Sequence, residues 1–546
     1  MSERENPNIK LVQQQFADGK IDRREFLRYS TLLGMSAAAA YAFVGKITGE
    51  SFVAPAKAAK PMGGTVRIGM RVVAINDPHT FDWIYDSNVT RNTIEYMTQT
   101  GTDNVTRPHL VEKWDVSDDL KTWNLHVRDV NWHSGRKLTA EDLAWNIRHC
   151  LDPNTGSSVV GLMKGYMLKE EDGKSVLWDA SAIEVVSDSV LRLNLKEANV
   201  AVPEHLFHYP FSVMDPDSGG KFGPGGNGTG AFDIVDVRVG ESATLRARKD
   251  YWGDGPYVDE VVFVDLGDDT SATIGALASK QIHLVYQAFP DQVQAIKAMP
   301  HLDLTQAPTG ATAVARMQVD QAPFDNPKVR KAFRMTTDSP TTLQLAYQGL
   351  GIPAEHHHVC AVHPDYKDIG TVPFDPAGAK ALLAEAGFPN GIEAEIAINA
   401  GSPWEVNAAQ AMAEQWKQGG FNIKLNVMPG AQFWDVWDKV PFGMTSWAHR
   451  PLGFMVLGLA YRTGVPWNET HYSNAEFDAL LTKAEGTLDV DERREIIGEL
   501  EKIMQEDGPM AQPLFRSVLG AKDKKLLGAE KHPTEYIFAN QLAIES

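Results

Sequence analysis

Residues 108–153 read PHLVEKWDVSDDLKTWNLHVRDVNWHSGRKLTAEDLAWNIRHCLDP, and the order of patterns in this stretch decides the fold. Trp123, Leu125 and Val127 alternate with Asn124, His126 and Arg128, the period-two signature of a strand with one buried face. After a polar turn, Thr139-Ala-Glu-Asp142 forms a capping box, which satisfies the first free N–H groups of a helix. Leu143, Ile147 and Leu151 then recur on one helical face. Strand, turn and helix thus follow each other in one short segment, the unit of a mixed α/β fold.

The same reading extends in both directions. Upstream, Gly64 to Ile68 makes a short apolar strand that leads into Asn76-Asp77-Pro78-His79, a turn-forming surface loop. Downstream, Leu191, Leu193 and Leu195 alternate, and after the glycine-rich stretch 219–230 come strands at 232–239, 243–248 and 261–266. Beyond Pro308 helices take over. Asp375 caps one that Pro376 begins and Gly387 ends; Val406, Ala409, Met412 and Trp416 line a second, and Ile496, Leu500 and Ile503 a third. A strand at 423–427 follows the second helix, so this half is a mixed α/β unit. No internal repeat or long linker separates the halves, which suits two lobes joined by short strands.

A chain of 546 residues needs two or three hydrophobic cores. No stretch approaches the roughly 18 unbroken apolar residues of a membrane span, so a soluble mature protein is expected. The net charge of −19, from 71 acidic and 52 basic side chains, repels phosphates and excludes nucleic acid as a partner. Cys150 and Cys360 are too few for a disulfide framework; two buried thiols are expected, with one disulfide as the alternative.

The first sixty or so residues read as an address. Asp22-Arg23-Arg24-Glu25-Phe26-Leu27-Arg28 precedes a moderately apolar, alanine-rich run from Thr31 to Val44, and small residues follow at Ala54-Pro55-Ala56 and Ala58-Ala59. The arginine pair with Phe26-Leu27 resembles a twin-arginine export signal, which implies a cargo folded before export and the twin-arginine translocase as a transient partner. Cleavage is expected near Ala56, leaving 1–56 as signal peptide and the product free in the periplasm of a Gram-negative cell. No cysteine ends the apolar run, which excludes a lipid anchor there.

The opening stretch closely resembles the signature block of the bacterial extracellular solute-binding proteins of the dipeptide, oligopeptide and nickel class, family 5. GTGAFDIVDVRVGESATLRARKDYWGDGPYVDEVVF, APFDNPKVRKAF, DPAGAKALLAEAGFPNG and YSNAEFDALLTKAEGTLDVDERREII follow the later landmarks of that family in order. The resemblance implies an α/β, two-lobed periplasmic binding protein fold of type II, cluster C-like, with the ligand cleft between the lobes. It places the larger lobe at 57–305 plus 516–546, with an inserted subdomain at about 106–228, and the smaller lobe at 306–515. Hinge crossings are expected near 305–315 and 510–516. The implied function is the substrate-binding component of an ABC importer, a monomer that captures a peptide or peptide-like solute and passes it to permease and ATPase subunits at the inner membrane. The alternatives are a receptor for an opine, glycoside or other anionic or polyhydroxylated compound, and a periplasmic hydrolase on the same scaffold.

Candidate ligand-binding residues follow from that resemblance. Peptide-binding members hold the ligand ammonium with an Asp after a Trp of the second lobe; here Trp447-Ala448-His449-Arg450 puts Arg450 at that position, a cation that suits a carboxylate or phosphate. Capping of a local carbonyl is the alternative role for Arg450. The helix that carries a carboxylate-clamping Arg in dipeptide binders reads Ser402-Pro403-Trp404-Glu405-Val406-Asn407, without an Arg. Trp404 and Asn407 are candidates for stacking and hydrogen bonding there, Trp404 equally for core packing. Trp447, His449, Tyr461, Trp467 and, from the first-strand loop of the larger lobe, Asp82 complete the expected cleft lining.

The run His356-His357-His358-Val359-Cys360-Ala361-Val362-His363 carries imidazoles and a thiol, but adjacent loop histidines rarely converge on one ion, so a structural loop is the reading and no metal or cofactor is expected. Gly223 to Gly228 matches the GxGxxG spacing yet precedes a strand, where a nucleotide site needs a helix N-terminus. No nucleophile elbow, zinc-protease or P-loop motif occurs, so no enzyme is expected.

Overall fold

In the computed structural model, which describes residues 6–49, 59–267 and 269–545, Trp123, Leu125 and Val127 turn into the core while their neighbours stay half-exposed. Thr122–Val127 pairs antiparallel with Val111–Val116 on one side and Val190–Asn194 on the other, and Ile183–Ser187 closes this four-stranded sheet. Helix Ala140–Leu151 packs on it through Leu143, Ile147 and Leu151. The Asp142 carboxylate accepts the backbone N–H of Thr139 at 2.9 Å and its hydroxyl at 3.2 Å. The acidic half of the expected capping box therefore forms, while the threonine hydroxyl serves the carboxylate.

The main sheet joins both halves of the molecule. Ten of its twelve strands form one path, β1 (Thr65–Gly69), β2 (Phe232–Arg238), β3 (Ser242–Ala247), β4 (Glu260–Val264), β5 (Leu284–Ala288), β6 (Leu302–Met317), β7 (Ile392–Asn399), β8 (Phe421–Met428), β9 (Phe442–Trp447) and β10 (Leu514–Asp523). They lie in the order β2-β3-β4-β1-β5-β10-β6-β9-β7-β8. The long strand β6 pairs through Leu302–Ala307 with the end of β10, shifts register between Ala307 and Ala311, and continues through Thr312–Met317 against β9. Thr309 fills the break: its hydroxyl donates to the Arg516 carbonyl at 2.6 Å and accepts the Ala311 N–H at 3.0 Å.

Two large cores flank this junction. One gathers Val66, Ile68, Leu245 and Phe263 of the first strands with Trp123 and Leu125 of the smaller sheet. The other is built from Phe333, Trp416, Phe421 and Phe442, with the Phe333 and Phe421 rings stacked at 3.8 Å. Together they make the two lobes of the fold. Helices Gly453–Ala460, Ala475–Gly486 and Val490–Glu506, which follow β9, add their apolar faces to the first core. The Val200 N–H accordingly donates to the Glu485 carbonyl at 2.8 Å.

The N-terminal residues fold as well. Helices Ile9–Ala17, Arg23–Leu32 and Ala37–Thr48 lie against the body, with Phe26, Tyr29 and Leu32 buried. Asp22 and Glu25 cap the second helix reciprocally. The Trp114 indole donates to the Leu32 carbonyl at 3.0 Å, Gln15 donates to Asp489 at 2.9 Å, and Arg493 donates to the Tyr29 hydroxyl. Arg23 and Arg24 remain on the exposed face, and the expected cleavage position near Ala56 lies outside the described residues. No helix among the described residues is long and apolar enough to cross a membrane. Cys150 and Cys360 are both buried and unpaired, which removes the disulfide alternative.

Candidate functional site

At the C-terminal end of β1 the chain turns over the junction between the lobes, and Arg71, Trp83 and Tyr85 of this segment face a cavity that is open to solvent at one side. Opposite them stand Asn399 at the end of β7, Ser402, Trp404 and Glu405 at the start of helix Pro403–Gln418, Trp434, and Ser446 of β9. Arg516 of β10 also lines it. Side chains from residue 69 to residue 516 thus meet because β1, β5 and β10 lie near each other in the sheet, with the β7 and β9 ends facing them.

The charged groups of this cavity are arranged with care for geometry. Glu405 is 1% exposed; burial pushes its carboxyl up to about 7, partly countered by hydrogen bonds from the Ser446 and Ser402 hydroxyls. Arg516 is committed to the protein: it pairs with Glu535 at 3.2 Å, meets the side-chain amide of Gln287, whose oxygen accepts from it once the amide is turned to satisfy both groups, and lies 5.8 Å over the Trp404 ring. Arg71 comes from the larger lobe and reaches the smaller one. A Cβ added at Gly430 would lie 3.0 Å from its guanidinium, so the glycine makes room for it.

A second, narrower cavity continues the first past Trp83, Trp434 and Ser446, which line both. Trp83 and Trp434 approach from opposite lobes to 5.8 Å between ring centroids and form a waist. Beyond it lie Asp82, Tyr209, Trp437, Trp447, Arg450 and Trp467. The Trp447 indole N–H is spent on Glu469 at 3.1 Å, which leaves its ring face for packing, edge-on to Trp467.

The expected residues therefore divide. Trp404 lines the main cavity, and Asp82, Trp447, Arg450 and Trp467 line the aromatic extension. Arg450 does not present a free fork: one guanidinium nitrogen donates to the Ala448 and His449 carbonyls at 3.2 and 3.1 Å, and the group lies 5.2 Å over the Tyr209 ring. Three expectations are corrected. Asn407 is exposed on the outer face of its helix, because the buried face is defined by Trp404, Ala408 and Met412 and residue 407 falls on the opposite side. Tyr461 is buried and its hydroxyl meets the His358 ring at 3.0 Å, so it belongs to the core. His449 accepts the Gly310 N–H at 3.1 Å and stacks on His363 beside the register break, away from both cavities.

Glu405, Arg71, Trp83 and Trp434 were missed by sequence reasoning. Glu405 had a signal, a carboxylate in the first turn of the helix where dipeptide binders carry a cation. The histidine run diverges: His356 accepts the Gln512 N–H, His357 meets Glu355 and His358 meets Tyr461, three partners in three directions.

The sequence profile of the bacterial extracellular solute-binding proteins, family 5 Middle, matches residues 105–457. The chain belongs to this family. Among relatives of this family 5 protein, heme-binding protein A of Haemophilus influenzae is 26% identical over 440 residues, 75% of this chain and 79% of the relative. The periplasmic oligopeptide-binding protein OppA of Salmonella typhimurium is 24% identical over 502 residues, 86% of this chain and 90% of its own. The periplasmic binding protein AgaA of A. tumefaciens R10, solved with agropinic acid, superposes with a TM-score of 0.80 at 21% identity and covers 88% of this chain and 99% of its own. These likenesses make the type II, two-lobed fold of the family 5 chain secure.

Proposed function

We propose that this chain is the substrate-binding component of an ABC importer that captures a peptide or peptide-like zwitterion between its lobes and delivers it to a membrane permease. One observation carries the reading. Glu405 from one lobe and Arg71 from the other face the same aromatic-walled cavity, so an ammonium and a carboxylate on one ligand each meet an opposite charge. Such a ligand contacts both lobes only when they are together, and so stabilises the closed form that a permease can distinguish from the open one. OppA is named for oligopeptides, which supports the same substrate class. Export by the twin-arginine translocase to the periplasm, work there as a monomer, and partnership with permease and ATPase subunits complete the proposal. The exposed Arg23-Arg24 pair ahead of an alanine-rich run supports the export route.

Isothermal calorimetry of the purified chain against short peptides and amino-acid derivatives tests it. The expected result is saturable binding of a ligand with both an ammonium and a carboxylate, weakened at least about tenfold by Glu405→Gln, with no product seen by mass spectrometry. Tight binding of a solute lacking both groups, or turnover of the bound solute, overturns it.

A further inference from the structure

Away from the ligand cavity, Asp77 and His79 of the loop after β1 meet His149 near the end of helix Ala140–Leu151. We propose that these three side chains bind one divalent transition cation, with zinc as the fitting ion, and that it pins the loop bearing Asp82 and Trp83 to that helix.

The donor set and its geometry carry the assignment. The His79 ring is fully buried and its Nε2 lies 2.8 Å from the Ser212 carbonyl, an acceptor, so that nitrogen holds the proton and Nδ1 presents a lone pair. That Nδ1 lies 2.9 Å from Nδ1 of His149, two ring nitrogens that share a single proton between them. On its other side His149 directs Nε2 toward Asp77 Oδ2 at 3.5 Å. The ligand atoms of the three residues all lie within 4.8 Å of one another. Zinc bonds of about 2.0–2.1 Å in a tetrahedron place ligand atoms about 3.3 Å apart, so a small rotation of one ring closes the set.

The surroundings are built to match. Asp77 Oδ1 accepts the His79 N–H at 2.9 Å, which fixes the carboxylate and leaves Oδ2 turned toward the two rings. His149 stacks on Trp145 at 4.8 Å and 13°, which sets its plane. At Gly220, with φ +86°, a Cβ would come within 3.0 Å of Asp77 Oδ2 and 3.1 Å of His149 Nε2, so the glycine keeps open the space beside both. The Asp77 and His149 side chains are 24% and 22% accessible, which gives an ion an entry path and a water for its fourth position. Two imidazoles and one carboxylate suit zinc better than magnesium or calcium, which take oxygen.

The test uses the full chain stripped with chelator and dialysed against zinc, with retained metal measured by mass spectrometry and site geometry read from cobalt(II) absorption. One equivalent per chain is expected, with a tetrahedral cobalt spectrum. Affinity should fall at least tenfold in His149→Ala and in Asp77→Ala, two accessible positions whose variants should keep the wild-type circular dichroism, and stay unchanged in His126→Ala. Retention of no metal, or equal retention in the wild type and both variants, overturns the site.

Discussion

Glu405 sits at a balance point between two forces. Burial disfavours its charge, while the first turn of helix Pro403–Gln418 and the Ser402 and Ser446 hydroxyls favour it, and the result is a carboxyl near 7. A ligand ammonium beside it needs the ionised form. Binding below pH 7 should therefore release a proton, and affinity should fall by up to about tenfold for each pH unit below 7. Calorimetry in buffers of different ionisation heat reads that proton directly; Glu405→Gln should abolish both the release and the pH slope, and a slope that survives the substitution removes Glu405 from the ligand contact. Arg450 is predicted to behave differently. Its hydrogen bonds go to two buried backbone carbonyls, so Arg450→Ala should lower stability by about 1–3 kcal/mol in denaturant unfolding. Ligand affinity should change little by comparison.

At the scale of elements, β6 and β10 are the strands on which the lobes meet, and the register break between Ala307 and Ala311 interrupts their pairing just before β6 gains β9 on its other edge. Thr309 stitches that break with two hydrogen bonds, so Thr309→Val should cost about 1–2 kcal/mol, because a buried carbonyl and a buried N–H both lose their partner. We propose the same break as the hinge, and Thr309→Val should also loosen lobe closure, read as a larger radius in small-angle scattering of the unliganded chain. An unchanged radius would assign Thr309 to stability alone. The elements themselves were legible in the sequence, since alternation at Trp123–Val127 and the Asp375-Pro376 cap are local signals that tertiary contacts did not override. The cleft was legible at Trp404, Trp447 and Trp467 and at Asp82 and Arg450, while the aromatic Tyr461 went to the core. Asn407 was misplaced because a helix face is set by its whole buried stripe, and two residues quoted from its first turn do not define that stripe. Arg71 and Arg516 reach one cavity only through the order β1-β5-β10, which no local pattern announces.

For the whole molecule, the N-terminal helices and the titrating interior each have a measurable consequence. The helices cover Trp114 and reach Asp489 and Arg493, so hydrogen exchange should protect 111–116 and 489–501 more in the full chain than in a chain beginning at 57; equal protection would mean the segment does not dock. The interior also holds two opposed sets of ionisable groups. Burial lowers His205, His356, His358 and His532 to about 3 and His363 to about 4, below their ordinary 6.5. Their contribution is fully present above pH 6.5 and is lost as pH falls toward those folded values, since the unfolded chain takes up the protons first. Burial raises Glu405 to about 7, Asp86 to about 8 and Glu501 to about 9. Their contribution is fully present below the ordinary carboxylate values and is lost as pH rises through 7 to 9. Each group changes stability by up to about 1.4 kcal/mol per pH unit within its window. From 6.5 downward the lowered histidines, with His79, His208 and His449 among them, outnumber the raised carboxyls, which also include Glu204, Glu469 and Glu485; above 6.5 the histidines are silent and the raised carboxyls act. Thermal melts of the unliganded chain should therefore peak near pH 6.5 and fall on both sides, and a melting temperature that rises steadily from pH 6.5 to 9 would show that the buried carboxyls ionise without cost.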